Sequence, residues 1–329
     1  MQAANNAIPF SREKLMNQSE KIFNHICPIC NCTYTEPFFK TNTFIQKCIN
    51  CGMVFDTKEA LDQRYYKDRQ HKIKADTLRA RTRNIKQRLK LLKKYLHGSS
   101  LLDIGCGEGT FLKEVQSYIT YAKGIEPDFY YANSAQILGL DVIQGFVEDI
   151  KFPPNSFDIV TMFHVLEHFQ DPSGVLKKIY LWLKPCGLLV IEVPNIASPY
   201  AKYKGEGWEL ITPEHKFYFS HCSLNYLLKK YSFDILDMKT RDFDQYRIAI
   251  GKNLRKLGIN FGKPKPQKPK KPEAIRELSN DYQSADGKMV PLKRIRRTIQ
   301  LPLKAFLGWL VLKFNRGDHL FVIARKSEK

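Results

Sequence analysis

Long apolar runs are missing from this chain. No stretch of eighteen uncharged apolar residues occurs, so no segment reads as a membrane-spanning helix. The opening MQAANNAIPFSREK lacks the apolar core of a secretory signal, which leads us to expect a cytoplasmic protein. In that compartment the eight cysteines are reduced thiols and not a disulfide framework. Acidic residues are also short, 33 against 53 Lys and Arg, giving a formal net charge of +20. The excess is local. Residues 63–97 carry thirteen Lys/Arg against Asp68 and Asp76, and residues 252–316 carry seventeen against Glu273, Glu277, Asp281 and Asp286. Neither stretch has the dense interleaving of aromatic and basic residues that stacks nucleic-acid bases. The rest is slightly acidic, so the basic appendages speak of partners and little of chemistry.

What is present, over 329 residues, suffices for one sizeable α/β domain plus something small, or for two domains. Cys27 and Cys30 in CPIC, and Cys48 and Cys51 in CINC, form two CxxC knuckles. Such knuckles present four thiolates tetrahedrally to one zinc, and four protein ligands close its shell, which makes the role structural. The Thr-, Phe- and Tyr-rich segment between them suits short strands. We therefore expect a zinc ribbon over 22–57, with Cys32 a spare thiol.

Ile73, Leu78, Ile85, Leu89, Leu92 and Leu96 recur at helical spacing, which predicts a basic amphipathic connector over 63–97. Its charges read as a solvated face. LLDIGCGEGTFL at 101–112 then places Gly105, Gly107 and Gly109 directly after an apolar strand. The spacing is GxGxG and not the GxGxxG of a dinucleotide fold. Asp103 at the strand end would repel a pyrophosphate but can accept hydrogen bonds from an ammonium group. Alone, such a stretch also reads as an ordinary glycine turn. Beyond it, YAKGIE, DVIQ, SFDIVTMF and GLLVIEV alternate with helix-like segments, the pattern of a doubly wound parallel sheet. FDILDMK and HLFVIARK follow, separated by about eighty residues that include the linker-like GKPKPQKPKKP.

DIGCGEG, GIEP, GFVEDIKFPPNSFDIVTMFHVLEH and WLKPCGLLVIEVPN together resemble the motif series of class I SAM-dependent methyltransferases. The resemblance covers 100–250 and the last strand, and implies a domain over 98–250 plus 318–329 with a Rossmann-like sheet of seven strands, the last antiparallel and inserted beside the fifth. One departure is Cys186, where the family commonly has a second glycine after LKP. The resemblance implies S-adenosyl-L-methionine as methyl donor. Gly105 and Gly107 would admit its methionine portion, with Asp103 near the ammonium. Glu126 would accept both ribose hydroxyls, and Phe146 and Val147 would lie at the adenine. For a base that takes the acceptor's proton, the candidates are His164, Glu167 and His168 in FHVLEH and His215 in TPEHKFYFS. Of these, His164 and His215 are the catalytic expectation. His164 and His168 are four apart and would share a face of a helix, but no third metal ligand is evident beside them. His215 follows a polar loop containing Trp208, at the mouth where ligands enter such sheets.

Within 251–317, Lys293, Arg294, Arg296 and Arg297 precede a short apolar stretch with Trp309. This fits a helix over 293–314 lying in an anionic membrane surface, at the inner face of the membrane. A helix packed over the active site or in a dimer interface fits as well. Three functions follow as alternatives. The favoured one is methyl transfer to a small-molecule or glycan-precursor acceptor, at oxygen. RNA methylation using the ribbon and basic stretches is the second, and a non-catalytic SAM-fold binding protein the third.

Overall fold

The computed structural model describes residues 25–58, 75–241 and 317–328, with residues 75–83 as backbone only. Residues 63–74, with Ile73 of the connector, and most of the 251–317 insertion, including the 293–314 segment, lie outside the described residues. The side chain of Leu78 does too.

The strands in chain order are β1 (Thr35–Pro37), β2 (Ile45–Cys48), β3 (Val54–Asp56), β4 (Ser100–Ile104), β5 (Tyr121–Glu126) and β6 (Val142–Gln144), followed by β7 (Phe157–Phe163), β8 (Leu183–Pro194), β9 (Phe217–Tyr218), β10 (Phe233–Arg241) and β11 (His319–Lys326). The helices are α1 (Ala75–Leu96), α2 (Thr110–Val115), α3 (Phe129–Ile137), α4 (Pro172–Trp182), α5 (Pro199–Lys204) and α6 (His221–Lys230). Several begin where a short polar side chain caps the free backbone donors. Asp128 accepts from Tyr130 and Tyr131, Asp171 from Gly174, and Ser198 from Ala201, while Ser220 and Ser223 cap each other reciprocally.

The main sheet has seven strands in the order β10-β11-β8-β7-β4-β5-β6, mixed in direction, with β11 antiparallel and inserted beside β8. Its central strands are covered on both faces, which their unbroken apolar runs anticipate. Alternation along each strand assigns the faces. Leu102, Ile104, Val160, Met162, Leu189, Ile191 and Val193 pack with Val175, Leu176 and Ile179 of α4 and Leu224, Leu227 and Leu228 of α6. Leu101, Ile159, Leu188, Val190, Phe321 and Ile323 pack with Ile85, Leu92 and Leu96 of α1, Phe111 and Leu112 of α2, and Ala132 and Ala135 of α3. Cys186 adopts φ 59 within β8, so a non-glycine residue takes up the left-handed turn expected of glycine there.

The N-terminal strands form a second sheet, β1-β2-β3-β9, whose fourth strand comes from beyond β8. Phe55 pairs with Phe217 and Val54 with Tyr218. Phe55 joins the main core with Phe217, Leu224 and Leu227, while Val54 and Ile45 pack with Ile196, Tyr200 and Trp208. Trp208, expected in a polar entrance loop, is 2% exposed in that smaller core, because the cysteine module supplies the apolar partners that a free loop would lack. No helix among the described residues is long and apolar enough to cross a membrane.

Candidate functional site

The sheet order reverses at β4, and the carboxyl ends of β4 and β7 are the place where open α/β sheets bind ligands. The chain leaves β4 through Gly105, Gly107 and Gly109 at φ +70, +57 and +74, a conformation that glycine alone adopts without strain. Their constraints differ. A Cβ on Gly105 would strike the Val165 side chain, and one on Gly109 would strike Leu140, whereas one on Gly107 would meet nothing within 4 Å among the described residues. Gly105 makes room for Val165, and Gly107 is the position that faces open space.

Glu126, at the end of β5, is 7% exposed. Its Oε2 accepts from the Gly107 N–H at 2.7 Å and its Oε1 from the Asp128 N–H at 3.0 Å. Burial raises its pKa and these two donors pull it back. Both oxygens are held in one plane with acceptor capacity to spare, the arrangement needed to grip a vicinal diol. Asp103 is buried on the α1 face, where Thr161 of β7 donates to its Oδ1 at 2.6 Å. Burial pushes this carboxyl up to about 7, against the pull of Thr161 and of the Arg88 charge. Val147 is buried in the main core and Phe146 beside it is half-buried. The cradle and the carboxylates fit a ligand with a diol and a cationic end, as S-adenosyl-L-methionine has.

The histidines are arranged differently from the sequence expectation. His164 has φ 61, and only Leu166–His168 form a short 3-10 turn, so His164 and His168 do not share a helix face. His164 instead stacks edge-on against His319 at 4.9 Å, and His168 against His215 at 4.8 Å. Glu167 lies between them, 1% exposed, with its Oε1 3.5 Å from His164 Nδ1. Burial would raise the Glu167 pKa, but His164, His168 and His215 outweigh that and hold it below the usual range. His215 accordingly supplies the third potential ligand that the sequence does not reveal, since Glu167, His168 and His215 bring one ligand atom each within 4.8 Å of one another. Burial lowers the His215 pKa, which favours its neutral form.

Sequence reasoning missed a buried charge cluster at the same edge. Glu192 of β8 is fully buried on the α1 face. Its Oε2 accepts from Arg88 Nε at 2.6 Å, and Arg241 Nη1 donates to both oxygens at 2.9 and 2.8 Å. Burial would raise Glu192, and the two guanidinium charges hold it low. Arg88 also lies over the Phe163 ring at 4.1 Å. It is therefore no member of a solvated face, and it clamps α1 across the ends of the strands. The signal was available in GLLVIEVP, where a lone carboxylate in a buried strand demands a partner.

In the N-terminal module Cys27 Sγ and Cys51 Sγ are 3.6 Å apart, and Cys30 Sγ and Cys48 Sγ 3.4 Å. A disulfide needs about 2.05 Å, whereas sulfurs around a tetrahedral ion at about 2.3 Å lie roughly 3.8 Å apart. All four lie within 4.8 Å of one another, so the set fits zinc. Asn31 and Gly52, each just after a CxxC pair, both take left-handed φ, 59 and 70. Their N–H groups donate to the carbonyls of Cys27 and Cys48, giving two matching knuckles. As thiols the four cannot ionise alike: hydrogen bonding from Cys51 draws Cys27 down to about 5, while burial pushes Cys48 up to about 12. A bound dication removes that conflict by favouring all four thiolates.

A family model described as "Methyltransferase domain" matches residues 67–237, more than half of the chain. The chain belongs to this methyltransferase-domain family. Its fold is that of a class I SAM-dependent methyltransferase. Among curated proteins, this methyltransferase is 31% identical over 106 residues to the ubiquinone biosynthesis O-methyltransferase of Rhodopseudomonas palustris, covering 30% of this chain and 42% of that one. It is 26% identical over 159 residues to a tRNA U34 carboxymethyltransferase of Desulfotalea psychrophila, covering 45% and 50%. The chain thus spans half or less of the length of these two relatives. A solved SAM-dependent methyltransferase from Archaeoglobus fulgidus is 19% identical with a TM-score of 0.47, covering 74% of this chain and 94% of that one.

Proposed function

We propose that this methyltransferase carries the methyl group of S-adenosyl-L-methionine to an oxygen of a small-molecule or glycan-precursor acceptor. The observation that carries the reading is the meeting of the Gly107 turn with the Glu126 carboxylate, an open cradle beside a rigid diol acceptor. In this reading Glu126 takes the ribose hydroxyls and Asp103 the ammonium end. Phe146 and Val147 border the adenine. The donor supplies an electrophilic methyl on a sulfonium, and the protein's main task is to align the acceptor oxygen with it. A base is needed where that oxygen is a hydroxyl, and His164 and His215 are the groups offered. His215, neutral and fixed through Nδ1, is suited to accept a proton at Nε2. Zinc at Cys27, Cys30, Cys48 and Cys51 would hold the module that carries β3. Several O-methyltransferases among the relatives favour oxygen, and their brief overlap leaves the acceptor itself to experiment.

Calorimetry tests the donor. The wild-type chain should bind S-adenosyl-L-methionine, and Gly107→Ala should stay folded yet lose about tenfold or more in affinity, which is about 1.4 kcal/mol. Unchanged affinity in Gly107→Ala would remove the turn from the site. Mass spectrometry with labelled donor and a panel of nucleotide sugars, lipid-linked sugars and RNA then identifies the acceptor. Methylated RNA as the sole product would overturn the small-molecule reading.

A further inference from the structure

We propose that Glu167, His168 and His215 form a second metal site, separate from the cysteine cluster, for a divalent first-row ion such as zinc, manganese or iron(II). The donor set is two imidazoles and one carboxylate, with their ligand atoms within 4.8 Å of one another. Borderline nitrogen and hard oxygen donors of this kind suit such ions.

The independent observation is the state of Glu167. It is 1% exposed, and neither carboxylate oxygen has a hydrogen-bond partner among the described residues. Buried polar atoms are almost always paired, and a buried carboxylate without a counter-charge is among the costliest groups a fold can hold. The ion-pair separation of 3.5 Å to His164 Nδ1 is longer than a formed hydrogen bond, so this one histidine leaves the hydrogen-bonding capacity of both oxygens unused.

Both imidazoles are held in place through Nδ1. His168 Nδ1 lies 3.0 Å from the carbonyl of Glu214, and His215 Nδ1 lies 2.8 Å from that of Leu210. A carbonyl only accepts, so each Nδ1 carries the hydrogen. In the neutral ring the lone pair is then on Nε2, the pattern by which proteins fix metal-binding histidines. The backbone locks the two segments together, since the Lys216 N–H donates to the Glu167 carbonyl at 2.8 Å. The ligands and the residues that hold them thus come from two short segments tied to each other.

Three protein ligands leave at least one position open, as in sites that act on a bound water or substrate oxygen. Val165, two residues before Glu167, covers Gly105, so the donor set lies at the same end of the sheet as the glycine turn. Resting on the methyl-transfer reading, the acceptor class is then one whose hydroxyl binds the ion as it loses its proton. An ion on Nε2 would leave His215 without a lone pair, and His164 would be the remaining base.

The experiment uses the full chain with its cysteine cluster already zinc-loaded. Cobalt(II) added to it should bind as one further equivalent and give d–d absorption without new sulfur-to-metal charge transfer. Glu167→Gln and His168→Asn should each weaken that binding at least tenfold. In the wild-type protein the Nε2 resonances of two histidines should move on zinc addition, a readout that needs no variant. The proposal is overturned if no second equivalent binds, or if new charge transfer places it on thiolates. It is also overturned if both folded variants bind as wild type does. A histidinium would then balance Glu167. Donor calorimetry is independent of this count, so failure here leaves the methyl-donor reading standing, and failure there leaves the metal count standing.

Discussion

Replacing Glu192 by glutamine tests the buried clamp with almost no change of shape. The carboxylate faces Arg88 and Arg241 at 2.6 to 2.9 Å and has no access to solvent. Charge centres about 4 Å apart attract by roughly 4 kcal/mol at an effective dielectric constant of about 20. Two such attractions vanish in Glu192→Gln, while the amide oxygen keeps one hydrogen bond and the cost of burying the carboxylate is relieved. Removing one side of a buried ion pair typically costs about 3–5 kcal/mol, because the remaining charges are left uncompensated. We expect that loss here, which for a domain of this size lowers the melting temperature by roughly 6–20 °C. Thermal and urea unfolding of both proteins measure it. Acid supplies a second signature. The Glu192 pKa is lowered in the fold, so its contribution is fully present above the unfolded value of about 4.3 and is lost as pH falls through the lower folded value. The gap between the two proteins should therefore close in strong acid. A loss under about 1 kcal/mol at neutral pH, or a gap that persists at low pH, would refute the clamp.

Cys48→Ser should drop bound zinc, as read by elemental analysis, because one ligand of four is gone. Full zinc retention would argue against the cluster. Asp103 should impose a pH dependence on donor binding. Its carboxyl titrates near 7, so affinity for a cationic ligand should rise as pH passes upward through that value and become flat in Asp103→Asn. An identical pH profile in both proteins would remove Asp103 from the ammonium end.

The seven-strand sheet was legible because its strands are local events. Apolar runs such as FDIVTMF and GLLVIEVP announce buried strands wherever they sit, and DIGCGEG announces the turn after one. CPIC and CINC announced the thiol cluster for the same reason, since each knuckle is closed by its own backbone. The histidines were less readable. His168 and His215 are 47 residues apart in sequence, and their meeting depends on how a loop beyond β8 returns over the sheet. Helical spacing suggested His164 with His168, but the positive φ of His164 breaks any helix there. Arg88 was hidden for a further reason. A basic residue in a basic amphipathic helix resembles every other one until a distant Glu192 singles it out. Docking of the cysteine module was invisible because a two-residue strand such as β9 carries no periodicity.

The pairing of β3 with β9 makes the cysteine cluster a gauge. Cys51 and Phe55 are only four residues apart, joined through the Gly52 turn. Phe55 is hydrogen-bonded in register opposite Phe217, two residues past His215. The height of that histidine above the sheet is thus measured from the sulfur atoms as well as from the strands beneath it. Val54 and Phe55 point into two different cores, so a single residue added at Met53 would exchange them and turn each apolar side chain toward the wrong neighbours. A boundary drawn after residue 57 separates two stretches of sequence, but it cuts through one sheet. The two parts cannot drift apart in evolution, or be exchanged between proteins, without recalibrating where His215 stands.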